Sequence, residues 1–143
     1  MDHTNLKIID FGLAKPLYFQ GASMVSLAES SLGALHGPPG TVTHFSPEVA
    51  RGALEYYNEP ARDIWACGVI LYNIVTFRLP FYMDNPTVFG LLHLIGNPNI
   101  GMSPISDDCS TILLDLISKL LDKNRHIRIQ TIEQLEQHAW FSQ

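Results

Sequence analysis

Hydrophobic and polar positions divide the 143-residue chain into an irregular first third and a helical remainder. Leu6-Lys7-Ile8-Ile9 is a short, β-branched run that stops at Asp10-Phe11-Gly12, a pattern that predicts a strand followed by a turn. Residues 15–45 are rich in Gly, Ser and Pro and hold no sustained period, which predicts a long surface loop. From Ser46 onward the signals are helical. Ser46-Pro47-Glu48 offers an N-cap, a proline at the first helical position and an acid in the first turn. Asp63 is placed to cap residues 64–75 (IWACGVILYNIV), a run without a polar stripe and so suited to the middle of a fold. Asn85-Pro86 precedes a further helix, TVFGLLHLIG, with Gly96 as its stop. Ser110 opens TILLDLISKLL, and Thr131-Ile132-Glu133-Gln134 has the form of a capping box. The expected class is mainly α, with four or five helices, one small strand, no repeats and no internal linker.

Composition narrows the picture. With 46% hydrophobic and 16% charged residues the chain packs as a globular domain or part of one. A formal net charge of -5 gives no basic footprint for nucleic acid. Four of the nine Lys and Arg nonetheless fall between Lys119 and Arg128; a solvated helix end is the favoured reading, a phosphate-binding patch the other. Cys67 and Cys109 are too few for a disulfide framework or zinc site, and the six histidines lack ligand spacing. The opening MDHTNLKIID has no signal-peptide form, and residues 64–75 are too short to span a bilayer. A soluble chain in a reducing cytoplasm, or the nucleus, with no membrane partner is expected.

Candidate chemistry begins at Asp10-Phe11-Gly12. A carboxylate is a hard oxygen ligand suited to Mg²⁺, and a glycine lets the backbone turn away beside it. Alone this tripeptide is a weak signal, and order and spacing strengthen it. Gly40-Thr41-Val42-Thr43-His44-Phe45-Ser46-Pro47-Glu48 follows the long loop, then Asp63-Ile64-Trp65-Ala66-Cys67-Gly68-Val69, Leu79-Pro80-Phe81, Arg128 and His138-Ala139-Trp140-Phe141. This series resembles the eukaryotic-type serine/threonine protein kinases, from the strand before Asp-Phe-Gly to the end of the C-terminal lobe. Within that family LYNIVTFRLPFYMDNPTVFGLLHLIGN and RIQTIEQLEQHAWF look like the liver kinase B type. Phe11 (Leu in that type), Phe77 (commonly Gly) and Ala139 (commonly Pro) depart from the pattern.

The resemblance implies a C-lobe fragment: strand and Asp-Phe-Gly over residues 6–12, an activation segment over 10–48 and a helical lobe over 46–141. Asp10, with Phe11 and Gly12, matches the site for Mg²⁺ and the ATP phosphates. Thr41 matches the residue that contacts the catalytic loop, Asp63 the acid that holds that loop's backbone, and Glu48 with Arg128 a buried ion pair. For Glu48, Arg128 and Asp63 the bland alternative is helix capping and surface charge. Ser23, Ser26, Ser30, Ser31, Thr41 and Thr43 are candidate phosphorylation sites, where a phosphate would order the loop by pairing with Arg. Protein substrates are implied, as is a pseudokinase or scaffold partner by likeness to the liver kinase B type.

Phosphoryl transfer also needs a Gly-rich cover, a strand Lys with its helix Glu, a catalytic Asp and a second Mg²⁺ ligand. No Gly-x-Gly-x-x-Gly and no His-Arg-Asp occurs in the sequence. The chain alone is therefore expected to be inactive and a poor binder of ATP. A non-catalytic, kinase-like binding module is the alternative, and a decayed gene product a third. The helix over residues 64–75 is covered in kinases by an element this sequence does not match, so the chain by itself is expected to leave an apolar strip in water and fold poorly.

Overall fold

The computed structural model describes residues 7–14, 40–53, 56, 59–106 and 108–142. The chain divides into two units, Met1–Gly40 and Thr41–Gln143. In the first unit residues 7–10 are irregular and Phe11–Leu13 forms one 3-10 turn. The strand expected over residues 6–9 is absent at 7–9, where Ile8 and Ile9 are exposed. A strand is stable only beside a hydrogen-bonded neighbour, and no described residue pairs with this run. Most of the predicted loop, including Ser23, Ser26, Ser30 and Ser31, lies outside the described residues.

The second unit is built from five α-helices among the described residues: α1 (Pro47–Ala50), α2 (Ala61–Thr76), α3 (Val88–Gly96), α4 (Thr111–Leu120) and α5 (Ile132–Glu136). Two 3-10 turns, Val42–His44 and Ala139–Ser142, flank them. The cap at Thr131 forms, its hydroxyl accepting from the Gln134 N–H at 3.2 Å. The reciprocal bond of a capping box is displaced by one residue, because Gln134 Oε1 accepts from the Gln130 N–H at 2.8 Å. Two other starts differ from expectation. Asp63 does not cap α2: Pro60 holds the N-cap position and Asp63 sits in the first turn. Thr87, not Asn85, caps α3, accepting from the Gly90 N–H at 3.0 Å.

α2 carries the core. Ala61, Ile64, Trp65, Gly68, Val69 and Tyr72 are buried at the i, i+3, i+4, i+7 spacing of a single helix face. Trp65, Val69 and Tyr72 pack with Phe81, Ile95, Ile117 and Leu121, while Ile64 packs with Leu116, Leu120 and Ile129. Where α2 meets α4, a Cβ on Gly68 would lie 2.8 Å from Leu120 Cβ, so only glycine fits that crossing. The other face of α2, with Ile70 and Ile74, is exposed. The run is apolar all round in sequence, and only one side of it is covered among the described residues.

α2 is capped by Phe77, which adopts a left-handed backbone (φ 56) and is 88% exposed. Left-handed geometry costs an L-residue roughly 1–2 kcal/mol, and glycine avoids that cost at the expense of unfolded-state entropy. Phe77→Gly should thus raise stability by about 0.5–1 kcal/mol in urea unfolding. Gly68→Ala should lower it by about 1–3 kcal/mol, because Leu120 cannot retreat without opening the core. A destabilised Phe77→Gly beside an unaffected Gly68→Ala would contradict this geometry for α2.

Candidate functional site

Local sequence puts Glu48 inside. Phe45, Ser46 and Pro47 are buried, and Pro47 starts α1 with its φ already set for a helix. Ser46 holds the N-cap position without a side-chain cap bond. One residue on, the Glu48 side chain is 3% exposed. Eighty positions later Arg128 follows a turn closed by its own N–H to Asn124 O at 3.0 Å, and its side chain is fully buried. Arg128 Nη2 bonds Glu48 Oε1, and Nη1 donates to Asp122 O at 3.3 Å. Arg125 reaches the same Glu48 oxygen at 3.6 Å through Nη1, while its Nη2 pairs with Glu59 Oε2 at 2.7 Å.

Aromatic rings extend this network inward. The Arg128 guanidinium lies 5.2 Å from the Trp65 ring, Trp65 stacks on Phe81 at 5.8 Å with 6° between planes, and Lys123 Nζ stands 4.4 Å from the Phe81 ring. Arg125 also lies over Tyr56 at 4.2 Å. Three polar atoms of the charged cluster have no hydrogen-bond partner among the described residues: Glu48 Oε2, Arg125 Nη1 and Arg128 Nε.

Beside the ion pair, two cations hold the end of α3. Lys123 Nζ donates to Leu94 O at 2.6 Å and Asn97 O at 2.9 Å, and Arg51 Nη1 donates to Gly96 O at 2.9 Å. These are the orphan carbonyls and the negative end of the helix dipole. Burial, and secondarily the Arg51 charge, lower the Lys123 pKa to about 8. Arg51, Lys123, Arg125 and His126 line an open cavity of about 550 Å³ together with Glu48 and Asp122.

The remaining predicted residues are placed more simply. Asp10, in the first unit, has a left-handed backbone (φ 61, ψ 70), and its carboxylate accepts a long bond of 3.4 Å from the Gly12 N–H. Phe11 and Gly12 form the turn beside it, and the Asp10 carboxylate is exposed. As a hard oxygen donor it fits as one ligand of Mg²⁺, an ion that takes one or two carboxylates plus substrate phosphates. No group of three or more metal-ligating side chains occurs among the described residues, so Asp10 cannot hold the ion alone. Thr41 is exposed, and Thr43 Oγ1 lies 3.0 Å from His44 Nδ1, whose pKa burial lowers. Asp63 is exposed; its backbone N–H donates to Pro60 O at 2.9 Å, and its side chain makes no hydrogen bond or ion pair among the described residues. Burial, then the Asp63 charge, raise the Cys67 pKa, so the thiol stays protonated at neutral pH.

The reading of residues 119–128 as a solvated helix end holds only for Lys119, which pairs with Asp115 on the surface at 2.8 Å. Arg128 is buried, and Lys123 and Arg125 are partly so. Apart from Asp122 O, six positions from Arg128, their partners and that of Arg51 lie 26 to 80 positions away, and no local pattern announces such contacts.

Comparison with known proteins points one way. The protein kinase domain model matches residues 1–141. CBL-interacting protein kinase 24 of Oryza sativa subsp. japonica is 35% identical over 138 residues, 96% of this chain and 26% of that protein. Putative ribosomal protein S6 kinase alpha-1 of Caenorhabditis elegans is 35% identical over 144 residues, 99% of this chain and 16% of that protein. Serine/threonine-protein kinase GIN4 of Saccharomyces cerevisiae is 36% identical over 132 residues, 92% of this chain and 10% of that protein. The chain thus spans about a quarter or less of these relatives. In fold it is similar to the Cydia pomonella granulovirus kinase PK-1, with a TM-score of 0.58 at 24% identity over 72% of this chain and 37% of that one.

Removing one partner of a buried ion pair strands the other charge, at roughly 3–5 kcal/mol. Glu48→Gln and Arg128→Met should each cost that much in chemical denaturation. The double variant should cost clearly less than their sum, since the pair is then removed as a unit. Additive losses would mean that the two charges do not stabilise one another.

Proposed function

The chain belongs to the protein kinase domain family, and from that premise we propose that it is the C-lobe portion of a serine/threonine kinase that transfers the ATP γ-phosphate to Ser or Thr of protein substrates. The observation that carries the reading is the buried Glu48–Arg128 pair, which joins the end of the Asp-Phe-Gly to Pro-Glu segment to the helical lobe. Asp10 is the Mg²⁺ ligand in this proposal, with Phe11 and Gly12 shaping its turn. Thr41 and Asp63 face the catalytic loop, while Ser23, Ser26, Ser30, Ser31, Thr41 and Thr43 supply phosphorylation sites. The left-handed backbone at Asp10 supports the first role, since non-glycine residues held there concentrate at functional sites. The liver kinase B subtype, with a pseudokinase or scaffold partner, rests on the sequence phrases alone. A reducing cytoplasmic or nuclear setting suits the two free thiols, Cys67 and Cys109.

Of the groups that position a phosphoryl group, only Asp10 has a counterpart in these 143 residues. Incubated with ATP, Mg²⁺ and a Ser/Thr peptide, the chain should therefore show no turnover. Placed in CBL-interacting protein kinase 24 in exchange for the matching 138 residues, it should support transfer. Asp10→Ala should then reduce that transfer by a factor on the order of 10³ or more. A chimera that is folded by circular dichroism yet inactive would favour a non-catalytic binding module. Turnover by the chain alone, abolished by Asp10→Ala, would overturn the assignment of the catalytic groups to a separate segment.

A further inference from the structure

The cation-rich stretch between Lys119 and Arg128 is only partly used by the ion-pair network, and the kinase reading gives its outer half no role. Two of the acids there are met by arginines, Glu48 by Arg128 and Arg125 and Glu59 by Arg125. Among the described residues Arg51 and Lys123 have no carboxylate partner; both donate to backbone carbonyls. We infer that the open cavity walled by Arg51, Lys123, Arg125 and His126 binds a phosphate-class oxyanion, presented either as free phosphate or on a phosphoserine peptide.

Donor supply is the core of the argument. A guanidinium has five N–H donors in a planar fork, and Arg51 uses one of them, on Gly96 O. Arg125 lines the same cavity, although its Nη1 is buried beside Glu48, and the exposed His126 ring adds a further N–H donor. Capping the end of α3 accounts for both Lys123 bonds and the Arg51 bond, and leaves the rest of that fork unused among the described residues. Lys123 acts through its charge, because its amine is already engaged by Leu94 O, Asn97 O and the Phe81 ring. Burial first, and the Arg51 charge second, lower the Lys123 pKa, and only the second reflects positive charge beside it. Two carboxylates oppose an anion here. Arg128 and Arg125 shield Glu48, and Asp122 Oδ1 accepts from the Asn124 N–H at 2.8 Å. The oxyanion therefore seats toward Arg51 and His126, where planar bidentate recognition is available.

The site does not involve Asp10, so its test is independent of catalysis. The full chain is titrated with inorganic phosphate, and with chloride at matched ionic strength, while NMR follows Arg51, Lys123 and His126. Saturable shifts with phosphate alone are expected, together with a rise in the Lys123 titration midpoint above about 8. Arg51→Gln should weaken binding about tenfold, the worth of one charge-assisted contact. His126→Gln, which leaves the α3 end intact, should weaken it as well. Lys119→Gln, on the surface outside the cavity, should change nothing. A phosphoserine peptide binding about tenfold or more tighter than inorganic phosphate, and not when unphosphorylated, identifies a peptide-borne ligand; equal affinity identifies the free ion. Linear shifts shared with chloride, or binding indifferent to both Arg51→Gln and His126→Gln, would overturn the site.

Discussion

Glu48 and Arg128 bring two full charges into a fold whose other buried residues are mainly apolar. Taking a carboxylate and a guanidinium out of water costs several kcal/mol per ion, and their attraction returns that only if geometry and further hydrogen bonds are good. The further bonds are present: Arg128 reaches Asp122 O, and Arg125 approaches Glu48 from the cavity side. The consequence is positional. A helix of one turn such as α1 cannot stand by itself, because helix nucleation is unfavourable. α1 is held by Phe45 and Val49 packing with Val42 and Leu92, and by Glu48 locked to a residue beyond α4. From Arg128 the contacts pass to Trp65 in α2, to Phe81 and to Lys123 at the end of α3. One ion pair thus stands where four segments distant in sequence meet.

α2 shows the other constraint. Its buried stripe needs α4 so close that Gly68 has no room for a methyl group, and such an approach fixes the helix in both rotation and height. The opposite stripe holds Asp63, Cys67, Ile70 and Ile74, and Phe77 follows just past the C-terminus. Two isoleucines one turn apart facing water, next to an exposed phenyl ring, are more than the scattered apolar residues of an ordinary surface. A helix with this composition is built for cover on both sides. Among the described residues it receives cover on one.

Helices were legible wherever periodicity and a nearby cap agreed, as at Ser110 with α4 and Thr131 with α5. Starts slipped where two candidate residues competed. Asn85-Pro86 looks like an opening, yet Thr87 offers the hydroxyl that Gly90 uses; Asp63 looks like a cap, yet the turn closes from Pro60. The strand before Asp10 was not decidable from its own residues, since β structure is a property of a pair of segments. The Glu48–Arg128 contact was legible only through the order of motifs around it. No local rule selects Arg128 over Arg125, whose nearer partners are Glu59 and the Tyr56 ring and which reaches Glu48 only at 3.6 Å. Lys123 and Arg51 left no trace at all, because what they cap is a helix end folded against them from 26 and 45 positions away.

Charge is where whole-chain composition misleads most. A net charge of -5 argues against a long polyanion, which needs an extended basic face. It says little about a single phosphate, whose requirement is a few donors at hydrogen-bonding distance. Residues 119–128 divide that labour by depth. Lys119 is in water with Asp115, Arg125 is shared between Glu59 and Glu48, and Arg128 is fully inside. The arginines take the paired positions, where a planar fork meets carboxylates, and Lys123 takes the carbonyls and an aromatic face, where a compact ammonium suffices. Among the described residues the residual positive charge gathers at Arg51 and Lys123, in a chain that is acidic overall. A local field of that kind depends on which acids the fold has already paired, and a sum over the sequence contains no information about pairing.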